Sequence, residues 1–420
     1  MRRRTEKGYI LVPALVAIAG LLALMAVLAA DEHSTLTQAE GTLCRARAQA
    51  AADAGLARAM SVISNANANL VQQTDDWYKL GNSGDDSFTF DDGSTFRLQI
   101  VDGGSLVNIN TASQTQLTQL PLDQDQVDCL LDWRSAGSAA RSDGAKDDYY
   151  NALATPYNTK LAALTTVDEL LLVKNWTAQT IYQPPTITPT TDQYPTDENG
   201  AYLPLASLLT VDSGAPNTKA DGTTRLNLNT RTVAVSGLTS LGLSGTIARR
   251  IITRLPERSF TQLFTTPGLS TNDMRILLNN VKFTSSTAMQ TGEYNLNTVT
   301  QAVLATLPAV PSDVASSIVQ QQPTGFTTLG ALTAVSGISN TLLGRMADLF
   351  TVGSNIFIAR IYGQDGGYGV AYEATIQYTS QKVQILKLNR LTTSGVPTWW
   401  AWNDTTTADL QAGDLGEQSQ

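Results

Sequence analysis

From Tyr9 to Ala30 the chain carries an unbroken apolar run, with Arg2, Arg3, Arg4 and Lys7 before it and Asp31 and Glu32 after it. At about 1.5 Å per residue, a helix over this run is roughly 33 Å long and spans the hydrocarbon core of a bilayer. The basic flank keeps the N-terminus cytoplasmic, so the rest of the chain is exported. Past Asp31, Leu36, Ala39, Leu43, Ala46, Ala50, Ala54, Ala57 and Met60 keep a three- and four-residue spacing. The spacing predicts that the membrane helix continues as a single rod to about Gln72. Ala48, Ala50, Ala51 and Ala52 favour helix, and their small side chains allow close approach of another element, either a neighbouring helix in a filament or the chain's own domain.

The period then changes. Ser87–Phe90 and Thr95–Ile100 alternate apolar and polar residues around Asp91-Asp92-Gly93, which predicts a β-hairpin. Asn355–Ile361, Gly369–Tyr378 and Lys382–Leu388 alternate in the same way between Gly-rich and Ser/Thr turns. The two β-rich pieces are expected to form one sheet. Between them Asn108-Ile109-Asn110-Thr111, Asn227-Leu228-Asn229-Thr230 and Asn295-Leu296-Asn297-Thr298 recur, each leading into Leu- and Val-spaced helical sequence. An extended entry whose Asn or Thr caps the next helix explains the motif without an active site. Val167–Trp176, Phe260–Ser270 and Phe326–Ser339 read as further short helical units, so the repeats resemble tandem helix-hairpin-helix or SAM-like modules. Gln183–Pro195 and Thr210–Thr224 read as exposed connections, and Thr405–Gln420 as a disordered polar tail.

Composition narrows the chemistry. The only histidine, His33, stands just past the membrane segment, which excludes a multi-histidine metal site and disfavours a Ser/His/Asp triad. Loss of residues 1–8, with four bases and one acid, takes the formal charge of −9 to about −12. So acidic a body does not suit sequence-independent binding to nucleic acid. Cys44 and Cys129 are too few for a disulfide framework and read as two free thiols.

Gly8 lies between the basic leader and the apolar run, and Gly8-Tyr9-Ile10-Leu11-Val12 followed by Leu, Ala and Val resembles the start of type IV pilins. An ordinary secretory signal cut near Val27–Ala30 is the competing reading, although its apolar region would be shorter than this one. The resemblance implies cleavage by prepilin peptidase between Gly8 and Tyr9, with the membrane helix retained. Pro13 occupies the position where pilins usually carry Glu. Within the superfamily, the minor pseudopilin K of type II secretion characteristically lacks that Glu. Asp132-Trp133, Gly144–Tyr150, Pro156-Tyr157 and Val167–Val173 are similar in order and spacing to this family.

The family resemblance implies an α+β fold in which the N-terminal membrane-spanning helix packs on a pilin-like antiparallel sheet. A large helical domain is inserted between the strands. The expected segments are a leader at 1–8, a transmembrane helix at 9–30, its periplasmic extension at 31–72, a first hairpin at 73–105, the insert at 106–349, the remaining strands at 350–395 and a flexible tail at 396–420. The implied function is a non-enzymatic subunit at the tip of the type II secretion pseudopilus, which nucleates and caps the filament during export through the outer membrane. The implied partners are the I- and J-type minor pseudopilins, prepilin peptidase, the inner-membrane assembly platform and secreted protein substrate.

Some family members bind calcium in this region. Asp132, Asp143, Asp147 and Asp148 are the candidate ligands, but Ser135 and Lys146 stand where the family often has carboxylates. No cofactor is otherwise implied. The alternative function is DNA handling in a competence or type IV pilus system, through the hairpin repeats. The turns at Leu122-Asp123-Gln124, Gly242-Leu243-Ser244 and Ala309-Val310-Pro311 lack the paired glycines that hold phosphate, and the best basic cluster, Arg249, Arg250, Arg254 and Arg258, reads as a solvated helix face.

Overall fold

The computed structural model describes residues 11–80, 87–189, 194–196, 200–284, 293–379, 382–391, 395–400 and 402. One helix, α1 (Leu11–Ile63), runs for 53 residues, or about 80 Å. It ends at Ile63 and not at Gln72, because the side chains of Asn65 and Asn67 compete for the backbone. Asn65 Nδ2 donates back to the Ser61 carbonyl, and Asn67 Oδ1 accepts the Asn69 N–H at 3.1 Å in an Asx turn. A single turn, α2 (Asp76–Lys79), buries Trp77 against Phe357.

The head is a five-stranded antiparallel sheet. Its strands are β1 (Ser87–Thr89) and β2 (Thr95–Asp102), then, after the insert, β9 (Ile356–Asp365), β10 (Tyr368–Thr379) and β11 (Lys382–Leu391), in the order β1-β2-β9-β10-β11. The two β-rich pieces do form one sheet, joined where β2 pairs β9 with Phe96 opposite Gly363 and Asp102 opposite Phe357. A bulge between Thr375 and Ile376 shifts the β10/β11 register.

One face of the sheet receives α1. Ala48, Ala51, Ala52, Leu56, Ala59 and Ile63 pack on Phe96, Leu98, Ile100, Phe357, Ala359 and Ile361. The approach is close enough that a Cβ on Gly363 would sit 2.3 Å from the Ala48 carbonyl oxygen and 2.5 Å from the Ala52 nitrogen. Only glycine fits there. The other face carries Tyr362 and Ala371, which are covered by Val396 and Trp400. Residues 396–400 are therefore a packed cover and not the start of a flexible tail, since Trp400 gains more from burial than it could from solvent. Positions 405–420 lie outside the described residues.

Between β2 and β9 come three units, each opened and closed by two-residue strands that pair in parallel. The first has β3 (Val107–Asn108), α3 (Gln114–Leu117), α4 (Gln124–Arg134), α5 (Asp147–Tyr150), a 3₁₀ turn at 167–172, α6 (Ala178–Tyr182) and β4 (Leu209–Thr210). The second has β5 (Leu226–Asn227), α7 (Val235–Thr239), α8 (Gly245–Ile252), α9 (Phe260–Leu263), α10 (Thr271–Asn280) and β6 (Val281–Lys282). The third has β7 (Tyr294–Asn295), α11 (Gln301–Ala305), α12 (Ser312–Gln321), a 3₁₀ turn at 329–334, α13 (Asn340–Ala347) and β8 (Phe350–Thr351). They share one apolar core. The stretch 210–224, expected to be exposed, is partly buried, because the Gly214 carbonyl accepts the Asn355 N–H at the sheet's end.

Candidate assembly surfaces and acidic loop

The helix α1 has two unlike faces. Its sheet-facing positions are buried by the chain itself, while Leu36, Ala39, Leu43, Ala46, Ala50 and Ala57 form an exposed stripe on the opposite side. Of the four clustered alanines, Ala48, Ala51 and Ala52 serve the chain's own sheet and Ala50 belongs to the outer stripe. From Pro13 to Ala30 no residue of α1 is covered by protein, and the helix is long and apolar enough to cross a membrane. Pro13 lies inside α1. Gly8 and Tyr9 lie outside the described residues. His33 is exposed on α1 and Cys44 is half-buried beside the sheet. Cys129 is buried in α4, where burial raises its pKa to about 11, and both thiols are free.

The insert is attached at one end of the sheet. Contacts along α1 run in order, with Ala48 against Gly363, Gly55 against Ile361, and then Ala68, past the helix end, against Gly353. The Val71 N–H donates to the Val352 carbonyl and the Ser354 N–H to the Ala68 carbonyl. The insert therefore sits at the end of the head farthest from the apolar part of α1. Asp102, the last residue of β2, is the buried pin at this junction. Its Oδ2 accepts from Asn295 Nδ2 at 2.8 Å and from Thr298 Oγ1 at 2.6 Å, and its Oδ1 accepts the Gly104 N–H at 2.8 Å. Burial pushes its pKa up, against the pull of these donors and of Ser354.

Two of those partners come from the third Asn-x-Asn-Thr motif, whose role differs from the expected one. In every copy the first Asn accepts the N–H of the second, at 2.9 Å for Asn108, 2.9 Å for Asn227 and 3.1 Å for Asn295. The helices are capped later in the sequence, by Ser113 and Thr300 in the first and third units. The motif lies too far upstream to cap, and instead folds the chain off the short strand into an Asx turn. The second Asn then braces a distant loop: Asn110 bonds Leu164, and Asn297 bonds Phe326.

The second and third units brace each other reciprocally. Asp348 accepts the Phe260 N–H at 2.6 Å and the Thr261 N–H at 3.0 Å at the start of α9, while Asn279 accepts the Gly330 N–H at 2.7 Å at the corresponding 3₁₀ turn. Within the basic cluster of the second unit, Arg250 donates to the Pro267 carbonyl, and Arg254 pairs Glu257 at 2.9 Å while donating to Thr265. Two of the four cations thus hold the fold locally.

The acidic loop after α4 does not bring its four aspartates together. Asp132 is buried, with Oδ1 on Arg141 Nη1 at 2.7 Å and Oδ2 on the Arg141 N–H at 2.9 Å. Asp147 accepts the Thr159 N–H at 2.7 Å, while Asp143 and Asp148 are exposed. No group of three metal-ligating side chains exists among the described residues. Lys146 is buried instead, and donates to the carbonyls of Asp132 at 2.6 Å and Ser135 at 2.8 Å. These residues do not fit a divalent cation. Sequence reasoning also missed the C-terminal aromatic cover, in which the Trp399 ring lies tilted against Tyr182 of α6, with centroids 4.5 Å apart, and Arg360 donates to the Trp400 carbonyl. The Trp399-Trp400 pair was its available signal.

Residues 107–187 match the family model of type II secretion system protein K. Among solved structures, a chain from the crystal structure of the GspK-GspI-GspJ complex of the enterotoxigenic Escherichia coli type 2 secretion system is similar at 13% identity with a TM-score of 0.48, over 86% of this chain and 100% of that one. No curated protein matches.

Proposed function

We infer that this chain is a minor pseudopilin of the type II secretion pseudopilus, of the K type, on the premise of the family match over residues 107–187. It works by position and contact and not by catalysis. The helix α1 anchors it as a single pass in the inner membrane, with the basic leader cytoplasmic and the head and insert periplasmic.

The observation that carries the finer reading is the place of the insert, at the membrane-distal end of the head and returning at the sheet position where it left. A subunit stacked above would meet the insert, so this chain ends a filament and, as its first subunit, nucleates it. Pro13 agrees with that place, since a terminal subunit has no amine above it to pair and an unpaired carboxylate in lipid would be costly. The outer stripe of α1 supplies a surface for the helices of the I- and J-type minor pseudopilins below. Prepilin peptidase would cut after Gly8 and the assembly platform would then extract the mature chain. The insert, read as helix-hairpin-helix-like units, meets substrate or secretin at the growing end.

The deciding measurement is the mature N-terminus, by mass spectrometry, in cells with and without prepilin peptidase. A peptidase-dependent start at Tyr9 is expected. An uncut Met1, or a start near Asp31, would overturn the reading.

A further inference from the structure

We propose that Lys146 supplies, from within the chain, the cation that folds the loop after α4, so that this loop takes up no divalent metal ion. The first argument is the position of the ammonium. It sits on the carbonyls of Asp132 and Ser135, at the C-terminal end of α4, where helix carbonyls lack partners and the helix dipole is negative. Oxygen atoms converging at such a point are what a hard cation uses. Here two of them are taken by one buried side chain of the same sequence.

The second argument is that the remaining carboxylate is spent. Both oxygens of Asp132 accept from Arg141, through the guanidinium and the backbone N–H. Gly144 closes over them, such that a Cβ there would lie 1.9 Å from Oδ2. An arriving ion would find no free carboxylate edge and would face an ammonium and a guanidinium. Asp147 is tied to Thr159, and Asp143 and Asp148 are exposed. Where the family resemblance implies calcium, this chain carries a covalent substitute whose occupancy does not vary with the metal content of the periplasm.

The test uses the full chain in detergent. Calcium chloride is titrated in by calorimetry, and thermal unfolding is followed with calcium or with EDTA. The wild-type protein is expected to give no binding heat and the same unfolding midpoint in both conditions. A stoichiometric uptake of calcium, or a midpoint that rises with calcium and falls with EDTA, overturns the proposal. Lys146→Met keeps the apolar stem and removes the charge. It is expected to lower the midpoint by several degrees with no recovery on adding calcium, and a variant that melts with the wild type overturns the role of the ammonium. Because the wild-type titration needs no variant, the metal-free claim stays falsifiable even if Lys146→Met does not fold.

Discussion

Asp102 at the end of β2 accepts the Asn295 amide at 2.8 Å, linking positions 193 residues apart and tying the sheet to the third helical unit. Burial raises the Asp102 pKa, so across the window from the ordinary carboxylate value, about 3.9, up to its folded value the native state holds a proton that the unfolded chain has released. Native stability then declines as pH climbs through that window, and the penalty is complete above it.

Asn295→Ala removes a donor to the charged form. It is expected to cost about 1–3 kcal/mol, with the larger loss near neutral pH and the smaller in acid. Denaturant unfolding at about pH 4 and about pH 8 measures it, and an equal loss at both would mean that native Asp102 holds the same protonation state at both.

Gly363 faces backbone atoms of α1, which cannot yield as a flexible side chain would. Gly363→Ala should destabilise the head by about 1–3 kcal/mol through overpacking. Thermal unfolding reads this directly; a midpoint identical to wild type would mean that α1 does not seat on β9 as described.

Asp348 of the third unit and Asn279 of the second each brace the other unit. Each exchange to Ala is expected to cost about 1–2 kcal/mol, as the loss of a cap does. Because both act on one interface, the double variant should depart from the sum of the singles. Strict additivity in a double-mutant cycle would count against a shared interface.

Leu43 is half-exposed on the outer stripe of α1 and contributes little to the chain's own fold. Leu43→Glu should leave unfolding within about 0.5 kcal/mol of wild type while reducing co-purification with other pseudopilins and secretion of substrate. Normal secretion by this variant would remove the stripe from the assembly surface.

The strand from Tyr368 to Thr379 could be read from sequence because its long alternation leaves little choice of face. The closing strands Leu209–Thr210, Val281–Lys282 and Phe350–Thr351 could not be, since two residues carry no period. Repetition marked the Asn-x-Asn-Thr motif but not its task, because an Asx turn and a cap use the same side chain. The faces of α1 were ambiguous for a related reason: small residues lie on both sides, and what separates Ala48 from Ala50 is Gly363, more than three hundred residues later. At the acidic loop the residue order placed Lys146 where the family resemblance implies a carboxylate. Its reach to two helix-end carbonyls required the folded loop.

The adjacency of β2 and β9 also sets an order of events during synthesis. The three units between them are made first, and β2 keeps an open hydrogen-bonding edge until β9 has been made. At about 5–20 residues per second of synthesis that delay is on the order of tens of seconds. For that interval the hairpin presents a free strand edge, which is the part of the nascent head open to pairing with another chain.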